Sequence, residues 1–306
     1  MTIGLFLTQA LNGLQLGVLL FLLAAGLTLV FGIMNFVNLA HGSLYMMGAY
    51  FAAATFGKTN SFLLAALVAV PATMLLGIVV ERVALLPLYR RDHLDQVLAT
   101  FGLILFFNEL VRIVWGPGAQ FMGTPEALSG TVDLAGLRYP AYRFAIIAVG
   151  IAVAIGLYFL IHRTRVGMLI RAGATHPEIV AALGVNVRKL NTIVFGLGAG
   201  LAGLAGLMAG PILSVQPGMG EPILILTLVV IVTGGIGSIR GAFYGALIVG
   251  IVDTIGRAFL PTLLREFVER SLAQAAGPAI ASMLIYVLMA VVLAIRPQGL
   301  FPVRHS

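Results

Sequence analysis

The sequence contains no cysteine, a single tryptophan and few charges: 9% of its 306 residues are Asp, Glu, Lys or Arg. Without cysteine there is no disulfide, no thiolate nucleophile and no cysteine-ligated zinc, while the compartment stays open. Soluble domains carry roughly 25% charged residues, so an ordinary soluble domain is excluded. Acidic residues are especially sparse, 11 against 18 Lys and Arg, for a net charge of +7. No basic stripe interleaved with aromatics accompanies that excess, so nucleic acid is not an expected partner. No Lys or Arg precedes Lys58. Residues 1–30 therefore lack the basic start of a signal peptide, and the first apolar segment is expected to stay in the mature chain. Catalytic constellations are missing as well. Histidines 41, 93, 162, 176 and 305 are scattered with no HExxH spacing, so no metal site is expected. Gly57, Lys58 and Thr59 imitate the end of a phosphate-binding loop, but Ala52 stands where its first glycine belongs. The chain is expected to be no enzyme and to hold no cofactor.

What is present is hydrophobicity: 60% of residues are apolar and the mean hydropathy is +1.07. A helical span needs about 20 apolar residues, and that ruler marks segments near 5–31, 37–56, 62–86, 97–115, 143–161, 192–212, 220–236, 241–260 and 279–295. The expected fold is all-α, one polytopic transmembrane helix bundle over residues 1–306 with eight to ten spans. The breaks at 34–38 and 234–240 are short, so one or two segments are expected to be broken or re-entrant. Arg82, Arg90 and Arg91, the polar island 162–191, Arg240, and Arg296 with Arg304 mark four loops or tails. Lys and Arg favour the cytoplasmic side; nine segments then place the N-terminus outside and the C-terminus inside. The connection 115–143 is external in that scheme and reads as an ordered loop, and 265–270 lies outside with balanced charge.

Small residues at three- and four-residue spacing let helix backbones approach. Gly200, Gly203, Gly206 and Gly210 form one such face, and Gly237, Gly241 and Gly245 are expected to repeat it. Polar residues interrupt the first break at Asn35, Asn38, His41 and Ser43. At membrane depth they need partners or water. If helical, Asn35 with Asn38 and Asn38 with His41 share faces. The segment is either a gate lining a path or a turn whose side chains satisfy freed backbone. HGSLY at 41–45 and RGAFY at 240–244 share a pattern, compatible with a repeat and with chance. The span carboxylates come with neighbours: Glu81 beside Arg82, Glu109 three residues before Arg112, and Asp253 four before Arg257. Lone intramembrane carboxylates would have suggested proton coupling.

The island 162–191 carries Arg163, Arg165, Arg171, Arg188 and Lys189. Within it Thr175, His176, Pro177 and Glu178 read as a helix start, with Thr175 as cap, Pro177 in the first turn and Glu178 closing a capping box. Gly184 is the natural stop. The helix between presents Ile179, Val180, Ala182 and Leu183 and is too short to be stable alone. Either the bundle or a partner must bury its apolar face.

Three motifs resemble one family: GLTLVFGIMNFVNLAHGSLYMMGAY at 26–50, AALGVN at 181–186 and TGGIGSIRG at 233–241. They look like the LivH-type permeases of bacterial branched-chain amino-acid ABC importers, with the likeness running in order from Leu11 to Pro302. The resemblance implies a multi-pass inner-membrane permease working with a second homologous permease of the LivM type. It also implies two cytoplasmic ATPases of the LivG and LivF types, which bind the ATP and Mg, and a periplasmic substrate-binding protein. The loop matching 171–191 then supplies the coupling helix that sits on an ATPase, deciding for a partner. By the same likeness 35–43 lies near the translocation path. The implied cargo is a branched-chain amino acid; another small amino acid, an amide or urea in the same family is the alternative, and a self-contained secondary carrier the rival.

Overall fold

The computed structural model describes residues 3–36, 38–134, 136–267 and 269–302. Arg304 and His305, used above, lie outside the described residues. The bundle consists of α1 (Ile3–Met34), α2 (His41–Thr59), α3 (Phe62–Val80), α4 (His93–Trp115), α5 (Ala141–Arg163), α6 (Arg165–Thr175), α7 (Pro177–Ala182), α8 (Val187–Ala209), α9 (Gly220–Gly234), α10 (Ile239–Leu264) and α11 (Arg270–Ile295). A π-helical turn, Glu81–Leu85, and a 3-10 turn, Leu86–Arg90, continue α3. All nine apolar segments are helices. Seven are long and apolar enough to cross a membrane. The other two, α2 with 19 residues and α9 with 15, are the ones that flank the two short breaks.

Backbone polar groups in a bilayer must be satisfied within the segment, which is why apolar runs of this length become helices. The middle of α1 from Val18 to Val30 is buried, as are Ala199, Ala202, Ala205 and Ala209 on α8. On α3, α4, α5 and α11, by contrast, Leu67, Leu98, Phe159 and Met283 are at least half exposed, a lipid-facing arrangement for helices of this composition. α1 and α10 run antiparallel: Phe6 meets Phe259 and, about four turns on, Phe21 meets Phe243 edge to face at 5.1 Å.

Of the expected stripe Gly200, Gly203, Gly206 and Gly210, Gly203 and Gly206 carry the close approaches. A Cβ at Gly203 would sit 2.7 Å from the Thr73 side chain, and one at Gly206 would strike the Tyr45 carbonyl. Gly200 has ordinary room, its nearest neighbour Met74 Cβ at 3.8 Å, and Gly210 faces the flexible Met122 sulfur at 3.2 Å. Gly241 and Gly245 pack on α9 at Gly234 and Val230. Gly237 corrects the expected stripe: it lies in the α9–α10 turn with φ +81°, not on a helix face. Gly206→Ala is accordingly expected to lower the melting temperature of the detergent-solubilised protein, by an overpacking cost of about 1–3 kcal/mol. Gly200→Ala is expected to leave it equal or slightly higher, because alanine is the better helix former.

The connections sort onto two faces. On one lie the end of α1, the α3–α4 corner, α6 and α7, the α9–α10 turn and the tail after α11. Gly32 approaches Gly237, and the tail closes on the turn through Leu300 N–H to Thr233 O and Phe301 N–H to Gly234 O. On the other lies a hairpin, β1 (Thr131–Leu134) with β2 (Leu137–Pro140), and an isolated bridge pairs Gln120 with Val215. The described residues of the connection 115–143, expected as an ordered loop, thus carry a hairpin and a bridge. Tyr139 Oη donates to Asn12 Oδ1 at 3.1 Å and Arg143 donates to the same oxygen, tying β2 and α5 to α1. Burial pushes the Tyr139 hydroxyl pKa upward, against the opposing pull of Arg143.

Candidate functional site

Two groups of residues singled out by the sequence occupy different places. The first is the polar island on the face just described. It contains two helices rather than one. Thr164 caps α6, accepting from Gly167 N–H at 3.0 Å, and the Arg171 guanidinium donates to the Ile161 carbonyl at the end of α5, where a cation also complements the helix dipole. Ile170 of α6 is buried in a cluster with Leu190 of α8. This corrects the expected capping box: Thr175 is the last residue of α6, its hydroxyl donating to Arg171 O at 2.9 Å, and His176 precedes α7 without a side-chain cap bond. The TxxE pattern was present, but α6 runs through its first position.

The six residues of α7 end at Ala182, and the chain turns away at Gly184, φ +86°, with Gly184 N–H bonding Ala181 O and Val185 N–H bonding Val180 O. The apolar face divides. Val180 is 5% exposed, whereas Ile179 is 56% and Leu183 79% exposed. Ile179 and Leu183, one turn apart, leave an uncovered apolar pair flanked by exposed His176, Pro177, Glu178 and Ala182. Asn186 then caps α8 through Lys189 N–H at 3.0 Å.

The second group is the α1–α2 break. The described residues of the break, 35, 36 and 38–40, are not helical, so Asn35, Asn38 and His41 do not share the face that a helix would have given them. Asn35 takes φ +47° and is exposed, a conformation Asn tolerates better than most residues. Asn38, His41 and Ser43 are 1%, 0% and 3% exposed. The His41 ring lies against Gly26, with Nε2 2.9 Å from where a Cβ would stand. Gly26 precedes the end of α1 by eight residues, roughly 12 Å of helix. The chain therefore turns back into the bundle before α2 starts. Asn38 Oδ1 accepts from Ala40 N–H at 3.0 Å, which is the backbone-satisfying role; Asn38 Nδ2 and both His41 ring nitrogens have no hydrogen-bond partner among the described residues.

The start of α9 meets the start of α2 here. A Cβ on Gly42 would lie 2.5 Å from the Gly220 carbonyl oxygen, and one on Gly220 would strike the Gly42 carbonyl. Two helix N-termini thus converge inside the bundle. Glu221 in the first turn of α9 accepts from Asn108 Nδ2 of α4 at 2.5 Å. Sequence reading missed Glu221; its signal was an acidic residue heading an apolar run.

Of the expected charge pairs, Arg112 with Glu109 at 3.0 Å and Arg257 with Asp253 at 2.9 Å are present. Glu81 with Arg82 is not. Glu81 is fully buried and accepts from Tyr89 Oη at 2.8 Å and Thr192 Oγ1 at 2.9 Å. The π-helical turn begins at Glu81, leaving Arg82 outside. Among the described residues no cluster of three or more His, Asp or Glu could hold a metal.

Residues 9–293 match the family described as branched-chain amino acid transport system, permease component. The chain is 30% identical to the high-affinity branched-chain amino acid transport system permease protein LivH of Escherichia coli K12 over 87% of its length and 91% of that protein's. It is 31% identical to the permease protein BraD of the corresponding system of Pseudomonas aeruginosa, over 82% of this chain and 86% of that one. The ribose import permease protein RbsC of Escherichia coli K12 is 28% identical over 76% and 72% of the two chains. No solved structure matches.

Proposed function

We propose a function from one premise: the chain belongs to the family of permease components of branched-chain amino acid transport systems. It is the permease subunit of an ABC importer that moves branched-chain amino acids across a bacterial inner membrane by ATP-driven alternating access. The face bearing α6 and α7 is cytoplasmic, with the N-terminus outside, because Arg82, Arg91, Arg163, Arg165, Arg171, Arg188 and Lys189 all fall on it. A second permease of the LivM type, ATPases of the LivG and LivF types and a periplasmic binding protein complete the importer. ATP and Mg reside on the ATPases.

One observation carries this reading: the uncovered pair Ile179 and Leu183 on a helix whose other side, Val180, is packed into its own chain. Burying a Leu or Ile side chain contributes about 1.5–3 kcal/mol, and a partner seated on α7 would gain both. The residues Asn38, His41 and Ser43, at the meeting of the α2 and α9 starts, line or border the path; Asn35 marks its cytoplasmic edge. A route with few fixed charges suits zwitterions with apolar side chains. The likeness to a ribose permease argues that cargo selectivity lies mainly in the binding protein.

Proteoliposomes test both parts. With binding protein, both permeases and both ATPases, uptake of labelled leucine is expected to require ATP, with glutamate and urea taken up at least tenfold more slowly. Leucine uptake by the permeases without ATPases would establish the secondary carrier instead. Uptake favouring glutamate or urea would overturn the cargo assignment and leave the importer standing.

A further inference from the structure

We infer that Glu81 is a positioning residue, a buried latch that carries movement of the α7 loop to the α1–α2 break. The inference rests on the reading of α7 as the ATPase contact.

A carboxylate inside a membrane bundle needs a partner, and the partner nearest in sequence, Arg82, is not used. Glu81 is 0% exposed, and both ion pairs among the described residues lie elsewhere. Its two oxygens instead accept from hydroxyls on two different elements. Thr192 lies on α8, six residues after the Asn186 cap that joins α8 to the α7 loop. Tyr89 lies in the 3-10 turn after α3. The Tyr89 ring packs edge-on against Phe36 at 5.7 Å, and Phe36 is a fully buried residue of the break itself. From α8, whose first turn Asn186 caps, the contacts run Thr192 to Glu81 to Tyr89 to Phe36, and Phe36 lies two positions before Asn38 in the sequence.

The backbone at the centre of this chain is irregular in a way that permits movement. Glu81 opens a π-helical turn that passes directly into a 3-10 turn. Such bulges recur at functional sites, since the same residues can take up another helical register. Gln96 closes the corner by donating to Leu88 O and Arg91 O at 3.2 and 3.1 Å. A packed chain couples two sites when it contains an element with two discrete arrangements. The π turn supplies that element, and the Glu81 carboxylate joins it to α8 on one side and to the break on the other.

The test measures leucine transported per ATP hydrolysed, in proteoliposomes of the complete importer. Glu81→Gln keeps size and burial but gives the amide one acceptor oxygen for two hydroxyl donors. Tyr89→Phe and Thr192→Val each delete one hydroxyl and keep Glu81. The ratio is expected to fall at least tenfold in Glu81→Gln and threefold or more in each of the others, with ATPase co-purification and ATP hydrolysis kept. Adding Glu81→Gln to Tyr89→Phe is expected to cost less than the product of the two separate losses, since both break one link. An unchanged ratio in Tyr89→Phe and Thr192→Val overturns the latch, whether or not Glu81→Gln folds. So does a loss that tracks lowered thermal stability in all three. Wild-type transport by a variant with a charged α7 face would instead overturn the α7 reading itself.

Discussion

Leu183→Asp is expected to abolish leucine uptake and to release the ATPases from the purified complex, while the chain still inserts into the membrane at wild-type levels. Leu183 is 79% exposed and Ile179 56%, so neither supports the fold of the chain that carries it. A charge at 183 stays hydrated in the free subunit and costs its stability little. At a closed interface the same charge must be desolvated, and the apolar contact of the leucine is lost besides. Together these amount to about 3–5 kcal/mol, a weakening of at least a hundredfold at about 1.4 kcal/mol per decade. Co-purification and uptake are the measurements; Val180→Asp is the contrast. Val180 is 5% exposed, so that change is expected to reduce folded protein rather than coupling. Undiminished uptake by Leu183→Asp would refute the interface.

Gly42→Val is expected to leave little folded protein in detergent and no uptake. The first turns of α2 and α9 pack backbone to backbone, and a Cβ at Gly42 would meet the Gly220 carbonyl oxygen at 2.5 Å and Leu224 Cβ at 3.0 Å. The obstacle is main chain, which cannot rotate away as a side chain can, and two helices must separate to admit the new methyl groups. The cost is expected at or above the upper end of the overpacking range, about 3 kcal/mol. Gly156→Val on α5, where nothing lies within 4 Å, is expected to match the wild type in melting temperature and transport. A Gly42→Val protein with wild-type melting behaviour would show that the two starts do not meet.

Much of the loop that carries α6 and α7 was legible because its signals are local. Basic residues set the face, Pro177 opened α7 and Gly184 closed it. The capping box failed because α6 extends through Thr175, and the amphipathic character of 165–175 was overlooked beside the stronger charge signal. The division of α7 between Val180 inside and Leu183 outside was not legible, since both are apolar and only the packing of α6 and α8 chooses between them. The spacing of Asn35, Asn38 and His41 left the break open between a path-lining segment and a turn, because spacing alone does not say whether the backbone is helical. In fact Asn35 adopts φ +47° and the chain folds back beside Gly26.

Sequence alone determined that this is a helical membrane bundle, how many apolar segments it has, and which loops carry the positive charge. Those follow from transfer of each segment out of water, a property a segment has by itself. Tertiary structure decided the rest: that α1 and α8 lie innermost, that the starts of α2 and α9 meet, and that Glu81 faces Thr192 and Tyr89 instead of Arg82. The reason is that lipid tails and neighbouring side chains are equally apolar. Hydropathy therefore places a helix in the membrane without saying what it faces. Glycine and hydroxyl contacts between distant segments supply that choice.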